Sequence, residues 1–177
     1  MENGKSGKRI PPCRIVLEKI FAHNQWANLT IFDACAALGA DQLDAEPKTV
    51  AYGSIRATLT HIATAQAGYL ALLRLPVAQR VRITPEFHQL KDFVAVSGDG
   101  LLTLTSEDGW ASIEAPCITT DGFEVDPWVV MLQAINHATE HREQICSMVS
   151  SMAMTPPELD GWAFGLETGS LRKILET

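Results

Sequence analysis

The chain has 177 residues and a net charge of −7, enough length for one domain with a sizeable core. No basic cluster beyond Lys5, Lys8 and Arg9 offsets that charge, which argues against nucleic acid as a partner. No run of about 18 apolar residues suggests a membrane span; no apolar segment behind the N-terminal charges suggests a secretory signal, and the four scattered cysteines (Cys13, Cys35, Cys117, Cys146) read as reduced thiols of a cytoplasmic protein.

Residues 1–13 read as a disordered tail and 14–177 as a single domain. The first helix is expected over 14–38, where Ile15, Leu17, Ile20, Phe21, Trp26, Leu29, Phe32 and Leu38 give a broad apolar face and Gly39 fits a C′ position. Trp26 and Phe32 read as packing residues, and Asn24 and Asn28 as residues that cap or tie helices. A polar loop with Pro47 follows. Ser54 then fits an N-cap for a second helix over 55–74, with Leu59, Ile62, Tyr69, Leu70 and Leu73 on its buried side and His61 among them.

Thr84-Pro85-Glu86 predicts the opening of a third helix over about 86–106, with a break possible at Ser97-Gly98-Asp99-Gly100, since each glycine costs about 1 kcal/mol against alanine. Alternation around Asp121-Gly122 within 109–126 predicts a short hairpin. The last long helix is expected over 128–151, with Asp126 as N-cap, Pro127 in its first turn, and Trp128 at a core-like position. Its apolar stripe runs through Val129, Leu132, Ile135, Ile145, Met148 and Val149. The tail is expected to add a helical turn or more in SLRKILE, 170–176. Four long amphipathic segments and a hairpin predict an all-α four-helix bundle with a small β-hairpin inserted before the last long helix.

His137 and His141 interrupt that last stripe four residues apart, so they share a helix face. With His61 they make a set of three imidazoles. Three such donors with an open fourth position form a catalytic-type site for zinc or a similar first-row ion. Glu140 precedes the second histidine instead of following the first, so this is not the H-E-x-x-H of metalloproteases. His23 and His88 fall outside the set. Cys35 and Cys146 sit among apolar residues and read as buried, inert thiols, whereas Cys117 could be exposed.

NQWAN (24–28), SIRATLTHIATAQAGYL (54–70), INHATEHREQI (135–145) and DGWAF (160–164) together resemble the signatures of the DinB/YfiT-like superfamily over about residues 14–165. The resemblance implies a four-helix bundle of unusual connectivity, a homodimer, and one divalent metal ion, zinc or nickel, on His61, His137 and His141. It further implies a small-molecule substrate and a thiol-dependent S-transferase acting in detoxification or stress, with a low-molecular-weight thiol such as mycothiol or bacillithiol as cosubstrate. A metal-dependent hydrolase, with Glu140, Glu143 or His23 as base, and a non-catalytic metal-binding stress protein are the alternatives. One position departs from the pattern: the acidic residue that often follows the first histidine motif is Gln66 here, which bears on the chemistry and not on the metal. Arg142 and Gln144 belong to the matched motif and read either as substrate-binding or as helix-surface residues.

Overall fold

A computed structural model of the chain describes residues 12–46, 53–113 and 115–174. The expected tail at 1–13 lies almost wholly outside them. The elements in chain order are α1 (Pro12–Ala36), α2 (Ala40–Asp44), α3 (Ile55–Arg74), α4 (Leu90–Thr103), α5 (Glu107–Ala111), β1 (Cys117–Ile118), β2 (Glu124–Val125), α6 (Pro127–Ser151) and α7 (Gly161–Glu167). No helix of the described residues is long and apolar enough to cross a membrane.

The four long helices α1, α3, α4 and α6 make the bundle, and two core clusters give their directions. At one end, the late residues of α1 (Ile31, Phe32, Cys35) meet the start of α3 (Ile55, Leu59), the start of α4 (Leu90, Val94) and the end of α6 (Ile145, Met148, Val149). At the other end, Phe21 of α1 meets Leu73, Leu101 and the early α6 residues Val130, Met131 and Ala134. Helices α3 and α4 therefore run parallel, and α1 and α6 run parallel to each other and antiparallel to them. The 75–89 connection must travel back along α3 before α4 can start. The connection carrying α5 and the hairpin joins the end of α4 to the start of α6 at the same end of the bundle.

Local chemistry accounts for most of the boundaries. The Ser54 hydroxyl accepts from the Ala57 amide at 3.2 Å and opens α3 where the sequence places it. Pro127 stands in the first turn of α6; Asp126 occupies the N-cap position, though its side chain makes no capping bond. Gly39 is not a C′ residue, because α1 stops at Ala36 and Gly39 instead caps the short α2, with the Gln42 side chain accepting its amide at 2.9 Å.

Helix α4 begins at Leu90 after a single 3-10 turn at Phe87–Gln89, and it does not break at its glycines. The reason is close packing: a Cβ on Gly98 would meet Gln25 and Gln66 at 3.2–3.5 Å, and one on Gly100 would collide with Leu70. The glycines let α4 approach α1 and α3, which offsets their low helix propensity. The hairpin forms at Asp121-Gly122, pairing Cys117 with Val125 and Ile118 with Glu124, while residues 107–111 ahead of it are helical. The tail helix lies earlier than expected. Asp160 accepts from the amides of Trp162 and Ala163 at 2.9 Å and starts α7, and residues 170–174 carry no helix.

Several residues expected in the core face outward. Trp128 is 56% exposed and Leu132 52%, with Val129, Ile15 and Ile20 also exposed. Phe32 and Cys35 are buried as expected, and burial pushes the Cys35 thiol up to about 12, which makes it a poor nucleophile. Cys117 and Cys146 are half-buried, with thiols also raised by burial.

Candidate metal centre

Helix α3 presents His61 to α6, where His137 and His141 lie one turn apart. The three imidazoles converge: their ligand nitrogens all lie within 4.8 Å of one another. Ring centroids are 4.7 Å apart for His61–His137, 4.7 Å for His61–His141 and 4.4 Å for His137–His141. His61 Nε2 and His137 Nε2 stand 2.8 Å apart, close enough for one N–H to donate to the other's lone pair. Tetrahedral zinc with N ligands at 2.0–2.1 Å separates them by about 3.3 Å, so this pair need open by only about half an ångström. The donor set is all imidazole, and no carboxylate joins it among the described residues.

Burial, then the neighbouring His141 and His61, push His137 down to about 4. His61 is lowered by burial first, then by His141 and Arg82. Both rings are therefore neutral at physiological pH, the form that ligates metal. His141 is buried, and its Nδ1–H donates to Gln144 Oε1 at 2.8 Å, the tautomer in which Nε2 is the nitrogen that could ligate an ion. Gln144 thus orients the His141 ring, a role its i+3 spacing from His141 is compatible with but does not single out. Tyr69, two turns beyond His61, stands edge-on to His137 at 5.7 Å, and burial raises its hydroxyl above the ordinary tyrosine value. Sequence reading took Tyr69 as core alone.

The remaining candidates lie elsewhere. Gln66 points about 140° around α3 from His61, into the bundle interior. Its amide accepts from Asn28 and donates to the Val94 carbonyl and the Ser97 hydroxyl, each at 2.8 Å. A carboxylate at this position would face the interior and not the triad, so its replacement by an amide does not remove a base from the site. Arg142 is buried as well, donating to Asn24 at 2.8 Å, Asn28 at 2.6 Å and Thr139 at 3.0 Å. It is neither a substrate ligand at the surface nor a helix-surface ion pair. Asn24 and Asn28 tie helices together, as their helix placement suggested. His23 donates from Nε2 to the Leu159 carbonyl at 2.8 Å and packs against Trp26 and Phe164, so it docks the tail on α1. His88 is exposed at the start of the α4 region, apart from the triad.

The depressed histidines give the metal-free protein a definite pH response. Below the unfolded value of about 6.5, an unfolded chain takes up protons that folded His61 and His137 refuse. Stability present above that pH is lost as the pH falls toward about 4, the His137 value. Thermal unfolding of metal-free protein between pH 7 and pH 4 should show this fall, and the His137→Gln variant should show less of it. An identical slope in the variant would count against the assignment.

A parallel-paired helical bundle with three convergent imidazoles across two of its helices defines a class of bundle protein with a candidate metal centre. The chain belongs to the DinB family, whose family model matches residues 13–168. No curated protein matches it.

Proposed function

We propose that the protein is a divalent-metal-dependent enzyme of the DinB type, with zinc or nickel held by His61, His137 and His141, and that it transfers a low-molecular-weight thiol to a small electrophilic molecule in cytoplasmic detoxification or stress. The observation that carries this reading is the composition of the site: three convergent imidazoles that no carboxylate joins among the described residues. A divalent ion there would supply Lewis acidity, lowering the pKa of a thiol or water ligand toward neutrality.

The chain's own groups divide the remaining work. The imidazoles bind, and Gln144 fixes the tautomer of His141. Tyr69 forms an uncharged wall beside His137. Hydrolysis needs a base to activate water, and Glu140 and Glu143 are exposed on α6 outside the triad. A thiol is acidic enough to dispense with that base once its pKa is lowered. This favours S-transfer over hydrolysis.

A homodimer belongs to the same reading. Exposed apolar residues gather at the first turns of α1 (Ile15, Val16, Ile20) and of α6 (Trp128, Val129, Leu132), which lie side by side at one end of the bundle. Sedimentation of a monomer at tens of micromolar would remove this part of the proposal. The test of the chemistry is a cobalt(II)-loaded sample titrated with thiols. A change in the ligand-field spectrum on adding thiol, absent in the His137→Ala variant, is the expected result. A spectrum indifferent to every thiol would favour a closed, non-catalytic metal site.

A further inference from the structure

We propose that Tyr69 is a positioning residue of the triad: its ring holds the His137 imidazole in the orientation that turns Nε2 toward the ion, the work that a hydrogen bond does for His141. This rests on the reading that the triad holds a metal ion, and it adds the residue that prepares one of the ligands.

A histidine side chain turns about two bonds, and the second has a broad minimum. A metal-ligating ring is as a rule held through its other nitrogen, by a hydrogen bond to a neighbouring acceptor. His141 has such a partner one turn on, with Gln144 Oε1 at 2.8 Å from its Nδ1. The residue in the same relation to His137 is Glu140, which is exposed and makes no bond to the ring. Among the described residues the His137 side chain makes one hydrogen bond, from ring to ring, with Nε2 at 2.8 Å from His61 Nε2. That bond uses the two nitrogens that ligation requires, so it cannot also orient the ring in the loaded site.

What remains against the ring, beyond the other two imidazoles, is Tyr69. Its centroid lies 5.7 Å from that of His137 with the planes at 80°, the edge-to-face geometry that aromatic rings favour. The contact follows from helix direction. Helices α3 and α6 run antiparallel, so moving along α3 from His61 to Tyr69 means moving along α6 from His141 back past His137. Tyr69 therefore meets the earlier of the two α6 ligands. It is half-buried and also packs against the core cluster built on Leu73, Leu101 and Val130, so the surface it offers His137 is anchored in the bundle. A residue that only filled the core would lower stability when truncated and leave metal binding alone, which separates the two roles.

The experiment measures zinc affinity by competition with a chromophoric chelator, and the order parameters of the His137 ring in metal-free protein from NMR relaxation of its C–H groups. Wild type is compared with Tyr69→Phe, Tyr69→Leu and Leu72→Ala. Leu72 packs on the same cluster from the same helix, so its variant reports lost packing alone. Tyr69→Leu should bind zinc about 2–10-fold more weakly, the scale of one edge-to-face pair, and its His137 ring should be more mobile. Tyr69→Phe keeps the aromatic ring and should match wild type in both measurements. Leu72→Ala should also match wild type in both while losing thermal stability. Zinc affinity in Tyr69→Leu equal to that of wild type or of Leu72→Ala overturns the proposal. So does a Tyr69→Phe variant as weak as Tyr69→Leu, because the hydroxyl would then be the working group. A wild-type protein that takes up no zinc removes the metal reading, and the ring measurement then decides by itself. A His137 ring loosened in Tyr69→Leu, and not in Tyr69→Phe or Leu72→Ala, supports the orienting contact; unchanged mobility overturns it.

Discussion

Replacing His137 by alanine is expected to strip the protein of stoichiometric metal while leaving its helical circular dichroism largely intact. His137 is the ring that completes the cluster: its Nε2 stands 2.8 Å from His61 Nε2 and its centroid lies 4.4 Å from that of His141. Without it two donors remain, on different helices, and neither can be replaced by a neighbouring carboxylate, because none joins the cluster among the described residues. The fold does not depend on the ring, which is half-buried at the edge of the core clusters. The Gln144→Ala variant sets the scale. It keeps all three donors and removes only the acceptor that orients His141, so its affinity should fall by about 10–100-fold, and His137→Ala should lose more than that. Elemental analysis of protein purified without a tag or added metal measures both. Metal retained in His137→Ala at one ion per chain would refute the ligand assignment, and metal lost in His88→Ala would mean that a different set of histidines holds it.

The bundle was legible because its long helices carry their own signals. Ser54 and Pro127 open α3 and α6 where the sequence places them, and the four-residue spacing of His137 and His141 puts both on one face before any fold is known. What was not legible depended on partners distant in the chain. Gly98 and Gly100 read as a break by propensity, yet they permit contacts with Gln25, Gln66 and Leu70 that local sequence does not contain. Trp128 and Leu132 fit a helical stripe, but periodicity identifies a face and not what covers it, and here they lie exposed. The case of Gln66 is the most instructive. Five residues from His61, it stands where the family pattern often has an acidic residue, yet helix rotation carries it into the interior. Tyr69 comes to the triad only through the packing of α3 on α6, so no motif spacing could announce it.

Arg142→Met should destabilise the protein by about 2–5 kcal/mol, because it leaves buried acceptors without donors. Arg142 lies at the centre of a polar chain that crosses all four long helices. Its guanidinium joins α6 to Asn24 and Asn28 of α1; Asn28 passes the link to Gln66 of α3; and Gln66 reaches Val94 and Ser97 of α4. Burial lowers Arg142 to about 10, so it is still charged at neutral pH, and the carbonyl oxygens of two amides take the place of a carboxylate partner. Removing the cation strands the Asn24 and Asn28 oxygens in the core, and in a chain of this length 1 kcal/mol is worth about 2–4 °C of Tm, so a fall of about 4–20 °C is expected. Asn28→Ala breaks the chain at the next link and should cost a similar amount. Gln66→Glu tests its direction, since a carboxylate cannot donate to the Val94 carbonyl and should be destabilising at neutral pH even though Arg142 lies one residue further along. The double variant Asn28→Ala/Arg142→Met should lose less than the sum of the single losses, with a coupling of about 1–3 kcal/mol, because the second change removes a group the first has already orphaned. Strict additivity in denaturant unfolding would mean that these contacts act separately and that the chain of amides is not a single stabilising unit.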